Sequence, residues 1–315
     1  MLFQERYTNI APILFFAYNR PIHTEKALIS LLKNDLISHS KIYFFVDGAK
    51  PSEREDEKRN REKVLDVINN YAKNFNNFNI EISPSNKGLA NSIIYGVNKV
   101  INEYEKVIVL EDDLELSSSF LNYMNRALDF YLDKKSVFSI SGYSPPSRIM
   151  PIYNGYRYDV YCNPYFSSWG WATWKDRWMM VDWNMSYFEK FITNDEMIKS
   201  FNKFCSGKSK MLESYKNGLI NSWAIQFQFS HFANSSLSIC PVISFVNNNG
   251  FDGSGTHCSV TNKYRNDILQ EKMQFKFLDI LYMDEKILTA FKNIHKTNIV
   301  IRIIKKICRF FDKTS

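Results

Sequence analysis

Glu111, Asp112 and Asp113 stand in a row directly after the apolar run 106–110, KVIVL. Such a short aliphatic run reads as a buried strand. Three adjacent carboxylates at its mouth repel one another unless a cation or a hydrogen-bond donor meets them. Carboxylate oxygens suit a hard divalent ion, Mg2+ or Mn2+. An ion there would bridge to a diphosphate and stabilise charge growing on a leaving group. Helix capping by Asp113 or Ser117 accounts for one acidic residue, but not for three after a β-branched strand. The cluster therefore predicts metal or nucleotide binding.

The elements that must position it follow from the hydrophobic pattern. Segments 12–21 (PILFFAYNRP), 41–51 (KIYFFVDGAKP), 78–88 (FNIEISPSNKG), 106–110 and 136–143 (SVFSISGY) read as strands. Segments 23–35, 61–75 and 89–104 between them have helical spacing. This alternation predicts an α/β fold with a mostly parallel central sheet and helices on both faces. Ligands in such sheets bind outside the carboxyl ends of the strands. Asn19 and Arg20, Asp47 and Gly48, Asn86, Lys87 and Gly88, and the Glu111–Asp113 cluster all fall there, which describes one cleft. After Tyr143 the chain is rich in Pro, Tyr and Trp with weak periodicity, and reads as an elaborated loop region with a carbohydrate-facing aromatic surface. Residues 219–235 read as a helix, followed by a short strand and a Gly-rich loop.

Composition narrows the partners. The 315 residues are 45% hydrophobic and 23% charged, ordinary for a globular chain. The net charge of +7 suits a phosphate-bearing substrate or an anionic membrane. No nucleic-acid module is recognisable, so nucleic acid is not an expected partner. Five cysteines without a CxxC pair argue against a disulfide framework or a structural zinc site. The first residues lack the apolar core of a signal peptide, and no run reaches the roughly 18 apolar residues of a membrane span. These features predict a cytoplasmic location. In the segment 298–313, Val300, Ile304, Ile307 and Phe311 share one helical face at about 100° per residue, while Arg302, Lys305, Lys306 and Arg309 share the other. A basic amphipathic helix of this kind predicts peripheral contact with the inner face of the cytoplasmic membrane.

The ordered set PILFFAYNRP, FFVDGAK, NKGLANSI, VIVLEDDL, SSWGWATW and, late in the chain, GFDGSGTHC resembles the nucleotide-sugar-dependent glycosyltransferases of the GT-A fold. It is most similar to bacterial family-2-like enzymes of surface-polysaccharide clusters and to the N-acetylglucosaminyltransferase I group, which share an EDDL-type motif. The resemblance spans roughly residues 10–260. We take 5–265 as the GT-A domain, with 5–143 binding the nucleotide sugar and 144–265 facing the acceptor, and 266–315 as a C-terminal helical tail.

The resemblance implies roles residue by residue. Asn19 and Arg20 would lie beside the nucleotide and Asp47 would reach the base. Lys87 and Gly88 would approach the nucleotide sugar. Glu111 and Asp112 would contact ribose or sugar hydroxyls, and Asp113 would hold Mn2+ or Mg2+, with His257 completing the metal shell. Trp169, Gly170 and Trp171 would border the donor sugar and the acceptor. Inverting transfer needs a base for the acceptor hydroxyl. The resemblance implies a carboxylate near the start of this helix, and relatives often carry Asp where this chain has Asn221, which cannot take a proton usefully; Asp252, then Asp176, then Glu213 are the substitutes. The implied activity is metal-dependent, inverting transfer of a hexosyl or N-acetylhexosaminyl group from a nucleoside diphosphate sugar to a saccharide or lipid-linked saccharide, in bacterial cell-surface polysaccharide biosynthesis. The alternative is a catalytically degenerate protein that binds a nucleotide sugar or glycan. A nucleotidyltransferase would usually need a Gly-rich loop after the first strand, and 17–27 contains no glycine.

Overall fold

The computed structural model describes residues 9–253 and 260–294; His257 and the basic segment 298–313 lie outside them. Strands β1 (Ile13–Ala17), β2 (Ile42–Val46), β3 (Phe78–Ile82), β4 (Lys106–Glu111), β5 (Leu114–Leu116), β6 (Val137–Ser141), β7 (Val160–Asn163), β8 (Trp171–Trp174), β9 (Leu237–Pro241) and β10 (Val246–Asn248) form two sheets. The large one has the order β3-β2-β1-β4-β8-β6-β9-β7, and β5 pairs with β10 alone. The expected mostly parallel α/β sheet is present: β3, β2, β1 and β4 run parallel, as do β6 and β9, while β8 and β7 run against their neighbours.

The period-two alternation of strand side chains separates two cores. Ile13, Phe15, Phe44, Ile108 and Leu110 point to one face, where they pack with Leu28 and Leu31 of helix Pro21–Leu32, with Val64 and Ile68 of helix Glu55–Ala72, and with Tyr123 and Met124 of helix Phe120–Phe130. Leu14, Phe16, Phe45, Val107 and Val109 point to the other, against helices Gly88–Tyr104 and Trp223–Ala233. Both faces are covered, so the strands β1, β2 and β4 read as continuous apolar runs.

The stretch after Tyr143 departs from its expected loop character, since it contributes β7 and β8. Strand β8 inserts between β4 and β6, with Val109 opposite Trp171 and Lys106 opposite Trp174. Its parity puts Trp171 in one core and Trp174 in the other. Most of the tryptophans and phenylalanines expected on a sugar-facing surface are core residues: Trp171, Trp174 and Trp178 are buried, and so are Phe188 and Phe191, which pack in a separate cluster with Phe201 and Phe229. Residues 266–294, set apart as a helical tail in the sequence, are helical only over Glu285–Ile294. Leu278 is fully buried in the same core as β1, and its N–H donates to Tyr131 Oη at 3.0 Å.

On helix Trp223–Ala233, His231 is fully buried, with Nε2 3.3 Å from Ser139 Oγ. Burial holds its imidazole down to about 3. Between that value and the unfolded value of about 6.5, only the unfolded chain binds the proton. The contribution of His231 to stability is therefore full above about pH 6.5 and falls by about 1.4 kcal/mol per pH unit below it. Urea unfolding of wild type and His231→Gln across pH 4–7.5 should show the stability gap changing by that slope below pH 6.5 and staying flat above it. A gap independent of pH would show that His231 takes up its proton at the same pH in the folded and unfolded protein.

Candidate functional site

A cleft of about 1070 Å³ opens at the carboxyl ends of the parallel strands. Its floor starts where β1 ends. Arg20 caps helix Pro21–Leu32, and its carbonyl accepts from Thr24 N and Thr24 Oγ1, both at 2.9 Å. With the backbone held by the helix start, the guanidinium reaches across to β4. Arg20 Nη1 donates to Asp113 Oδ2 at 2.9 Å and Nη2 donates to Asp112 Oδ1.

The carboxylates are held by the small sheet. After β4 the chain turns at Asp112 and Asp113 into β5, which pairs with β10. Asn249 N donates to Asp113 O at 2.8 Å. Gly250 follows so closely that a Cβ there would strike the Asp113 carboxylate. Burial pushes Glu111 up to about 8, reinforced by Asp113 and opposed by Arg20. Burial likewise pushes Asp112 up to about 6, against the pull of Arg20. One guanidinium thus only partly offsets three carboxyl groups. Asp113 Oδ1 is buried and has no hydrogen-bond partner. That orphaned oxygen fits the expected hard cation. Among the described residues no group of three or more His, Cys, Asp or Glu could hold a metal alone. An ion there suits the usual Mg2+ arrangement of one or two carboxylates plus substrate phosphates.

Asp47, at the end of β2, has a different local role. Its Oδ1 accepts from Gly48 N at 2.9 Å and from Lys87 N at 2.8 Å, and its Oδ2 accepts from Gly88 N at 2.9 Å. Three of the carboxylate's roughly four lone-pair sites therefore clamp the β2 exit to the start of helix Gly88–Tyr104. Gly48 is required where it lies, because a Cβ would sit 2.6 Å from Ser83 O. The Lys87 side chain leans over the Tyr95 ring, 3.7 Å from its centroid.

Strand β8, running antiparallel, brings its start to this edge. Trp169 packs edge-on to Tyr143 at 4.3 Å and Phe251 at 5.4 Å and forms one wall. Gly170, with φ of +63°, makes the bend, and its carbonyl accepts from Gly142 N at 2.7 Å. Trp171 lies in the core, fully buried and stacked on Trp223 at 5.0 Å, so it borders no ligand.

Asn19, Arg20, Asp47, Gly88, Glu111, Asp112, Asp113, Trp169 and Asn221 thus line one cleft. The Asn221 amide faces Gly88, 3.9 Å from where a Cβ would stand. Asp252 lies beside the cleft-lining Phe251, with Oδ2 3.0 Å from His23 Nε2 and half its side chain exposed. Asp176 is elsewhere. The end of β8 lies at the opposite edge of the sheet, and Asp176 there pairs with Lys135 at 2.8 Å and Arg177 at 2.7 Å. It is not a base for this cleft. Glu213 is an exposed residue of helix Lys208–Lys216. His257 lies outside the described residues.

The sequence reading omitted Tyr18 and His23. Tyr18 Oη is buried without a hydrogen-bond partner in the cleft lining, and Lys50 Nζ lies 5.3 Å from its ring. Both could have been found from position, since Tyr18 shares the β1 exit with Asn19 and His23 sits on the first helical turn after Arg20.

Two substitutions separate these roles. Asp47→Asn turns an amide N–H2 towards a backbone N–H and should lower stability by about 1–3 kcal/mol in urea unfolding. Trp171→Ala should lower it by about 3–5 kcal/mol, and the wall residue Trp169→Ala by clearly less. Equal losses at the two tryptophans would contradict their assignment to core and wall.

The profile of the GNT-I family matches residues 2–215, about two-thirds of the chain. No curated protein matches. Among solved structures, TarS of S. aureus is 12% identical with a TM-score of 0.40, over 75% of this chain and 36% of that one. The chain thus spans about a third of the length of TarS. The galactosyltransferase LgtC, in complex with donor and acceptor sugar analogues, is 13% identical with a TM-score of 0.33, over 70% of this chain and 69% of that one. A UDP-glucose pyrophosphorylase complexed with UDP-glucose is 14% identical with a TM-score of 0.38, over 75% of this chain and 91% of that one.

Proposed function

The chain belongs to the GNT-I family of glycosyltransferases, and from that premise we propose that it transfers a hexosyl or N-acetylhexosaminyl group from a nucleoside diphosphate sugar, with inversion, in a metal-dependent reaction. The acceptor is a saccharide or lipid-linked saccharide of bacterial surface-polysaccharide synthesis. The observation that carries the reading is the buried, unpartnered Asp113 Oδ1 beside Arg20 at the mouth of the cleft.

In this reading the nucleotide lies over the ends of β1 and β2. Asn19 and Tyr18 flank it, and Asp47 holds the two loops in place with one lone-pair site left for the base. Arg20 turns its guanidinium to the diphosphate, for which a planar fork of donors is well matched. Glu111 and Asp112 meet ribose and sugar hydroxyls. Asp113 would hold Mn2+ or Mg2+, which supplies charge stabilisation for the departing nucleoside diphosphate. Trp169 offers an apolar ring to the C–H face of a sugar. Asp252 is the base for the acceptor hydroxyl in this reading, and His23 Nε2, 3.0 Å from its Oδ2, orients it.

The location follows the same reading. Among the described residues no helix is long and apolar enough to cross a membrane. We place the enzyme in the cytoplasm, with 298–313 resting on the inner face of the membrane near a lipid-linked acceptor. A division at residue 143 between a nucleotide-sugar side and an acceptor side belongs to the proposal as well, whereas the expected limit at 265 gives way to a domain that includes Leu278.

A second reading is favoured by one residue. Asn221 lines the cleft, and an amide cannot usefully take a proton from an acceptor hydroxyl, which suits a protein that binds a nucleotide sugar or glycan without turnover.

A thermal-shift and hydrolysis panel of UDP-, GDP-, dTDP- and CMP-sugars, with and without Mn2+, tests both on wild type and Asp113→Ala. We expect one nucleotide class to raise Tm only with metal, Asp113→Ala to abolish the shift, and slow hydrolysis to identify the donor. A metal-dependent shift without hydrolysis or transfer supports the binding protein. No shift with any nucleotide sugar removes the donor site altogether.

A further inference from the structure

The cleft contains a cation of its own. Arg20 holds Asp113 Oδ2 with one nitrogen and Asp112 Oδ1 with another, so two of the carboxylates that face the cleft are paired within the protein itself. Only about a fifth of the Arg20 side chain is exposed, and its partners are more buried still. Its backbone is fixed by the helix start, yet the side chain is long enough to pivot within the cleft that it lines. A divalent ion approaching Asp113 Oδ1 would meet a full positive charge on the other oxygen of the same carboxylate.

We infer that Arg20 is a positioning residue that masks Asp113 from free metal, and that a diphosphate draws the guanidinium away, so that metal and nucleotide bind as one unit. The inference rests on the proposed donor site. Its physical content is a change of partner. In the empty cleft the guanidinium neutralises the carboxylates. With a diphosphate present it moves to the phosphates, and the carboxylates then require the divalent ion. Two ligands that each favour the same rearrangement bind cooperatively, and the coupling is reciprocal.

The test reads metal binding directly, from the free Mn2+ signal in electron paramagnetic resonance, with Mn2+ alone and with UDP, GDP or dTDP. Isothermal titration follows the nucleotides separately. In the absence of nucleotide, Arg20→Gln should bind Mn2+ at least about tenfold more tightly than wild type, because a unit charge close to the ion has been removed. Arg20→Lys keeps one charge but cannot span both carboxylates, so it should fall between the two. The factor by which a bound nucleotide raises Mn2+ affinity should be larger in wild type than in Arg20→Gln. Mn2+ affinities within twofold of one another in all three proteins, or equal nucleotide–metal coupling in wild type and Arg20→Gln, overturn the inference. If Arg20→Gln does not fold, Arg20→Lys decides, and an affinity no tighter than wild type is the overturning result. These outcomes are separable from the donor reading. Nucleotide binding with unchanged Mn2+ affinity overturns the masking role and leaves the donor site. Tighter Mn2+ binding in Arg20→Gln with no nucleotide binding in any protein overturns the coupling along with the donor site.

Discussion

The organising constraint of this protein is an excess of buried negative charge at the end of one strand. Glu111, Asp112 and Asp113 leave β4 together, and a single guanidinium stands against them. Burial holds two of the three carboxyls well above the usual range. Such an arrangement is unfavourable unless a further cation or donor arrives, because desolvation disfavours each charged form and the like charges add to it. The small β5–β10 sheet and the close approach of Gly250 keep the cluster from relaxing outwards. The fold therefore maintains a site whose electrostatics favour binding a positive group.

The rest of the cleft depends on loops held with equal firmness. Asp47 directs three backbone N–H groups at one carboxylate, which fixes the β2 exit relative to the helix that begins at Gly88. The Arg20 backbone is held by the first turn of its own helix. A site built on strand ends and helix starts loses less entropy on binding than one built on free loops, so the backbone of this part of the cleft is preorganised. Another wall of the cleft is formed by the rings of Tyr143, Trp169 and Phe251.

The chain is a member of the GNT-I family, and the sheet that carries these groups is a set of parallel strands followed by the antiparallel β8. That one reversed strand has two consequences. It brings Trp169 and Gly170 to the ligand edge, and it takes Trp174 and Asp176 to the opposite edge. A residue's distance along the chain from Trp169 therefore says nothing of its distance from the cleft.

By itself the sequence determined what local pattern can determine. The continuous apolar runs of β1, β2 and β4 and the helical spacing between them specified a parallel sheet. The polar residues at successive strand exits specified one cleft, because strand polarity alone puts those exits on one edge. What only the tertiary structure decided were relations between segments far apart in the chain. Arg20 as the partner of Asp112 and Asp113 required β1 and β4 to be neighbours. Asp47 as a clamp required the β3 exit to fold back on β2. The burial of Trp171 and the exclusion of Asp176 required knowing that β8 is a strand, its direction and its parity. The weak periodicity of a four-residue strand amid Pro, Tyr and Trp carries none of these. Local periodicity fixes which residues can form an element; the pairing partner, which alone sets direction and neighbours, is fixed by packing across the whole core.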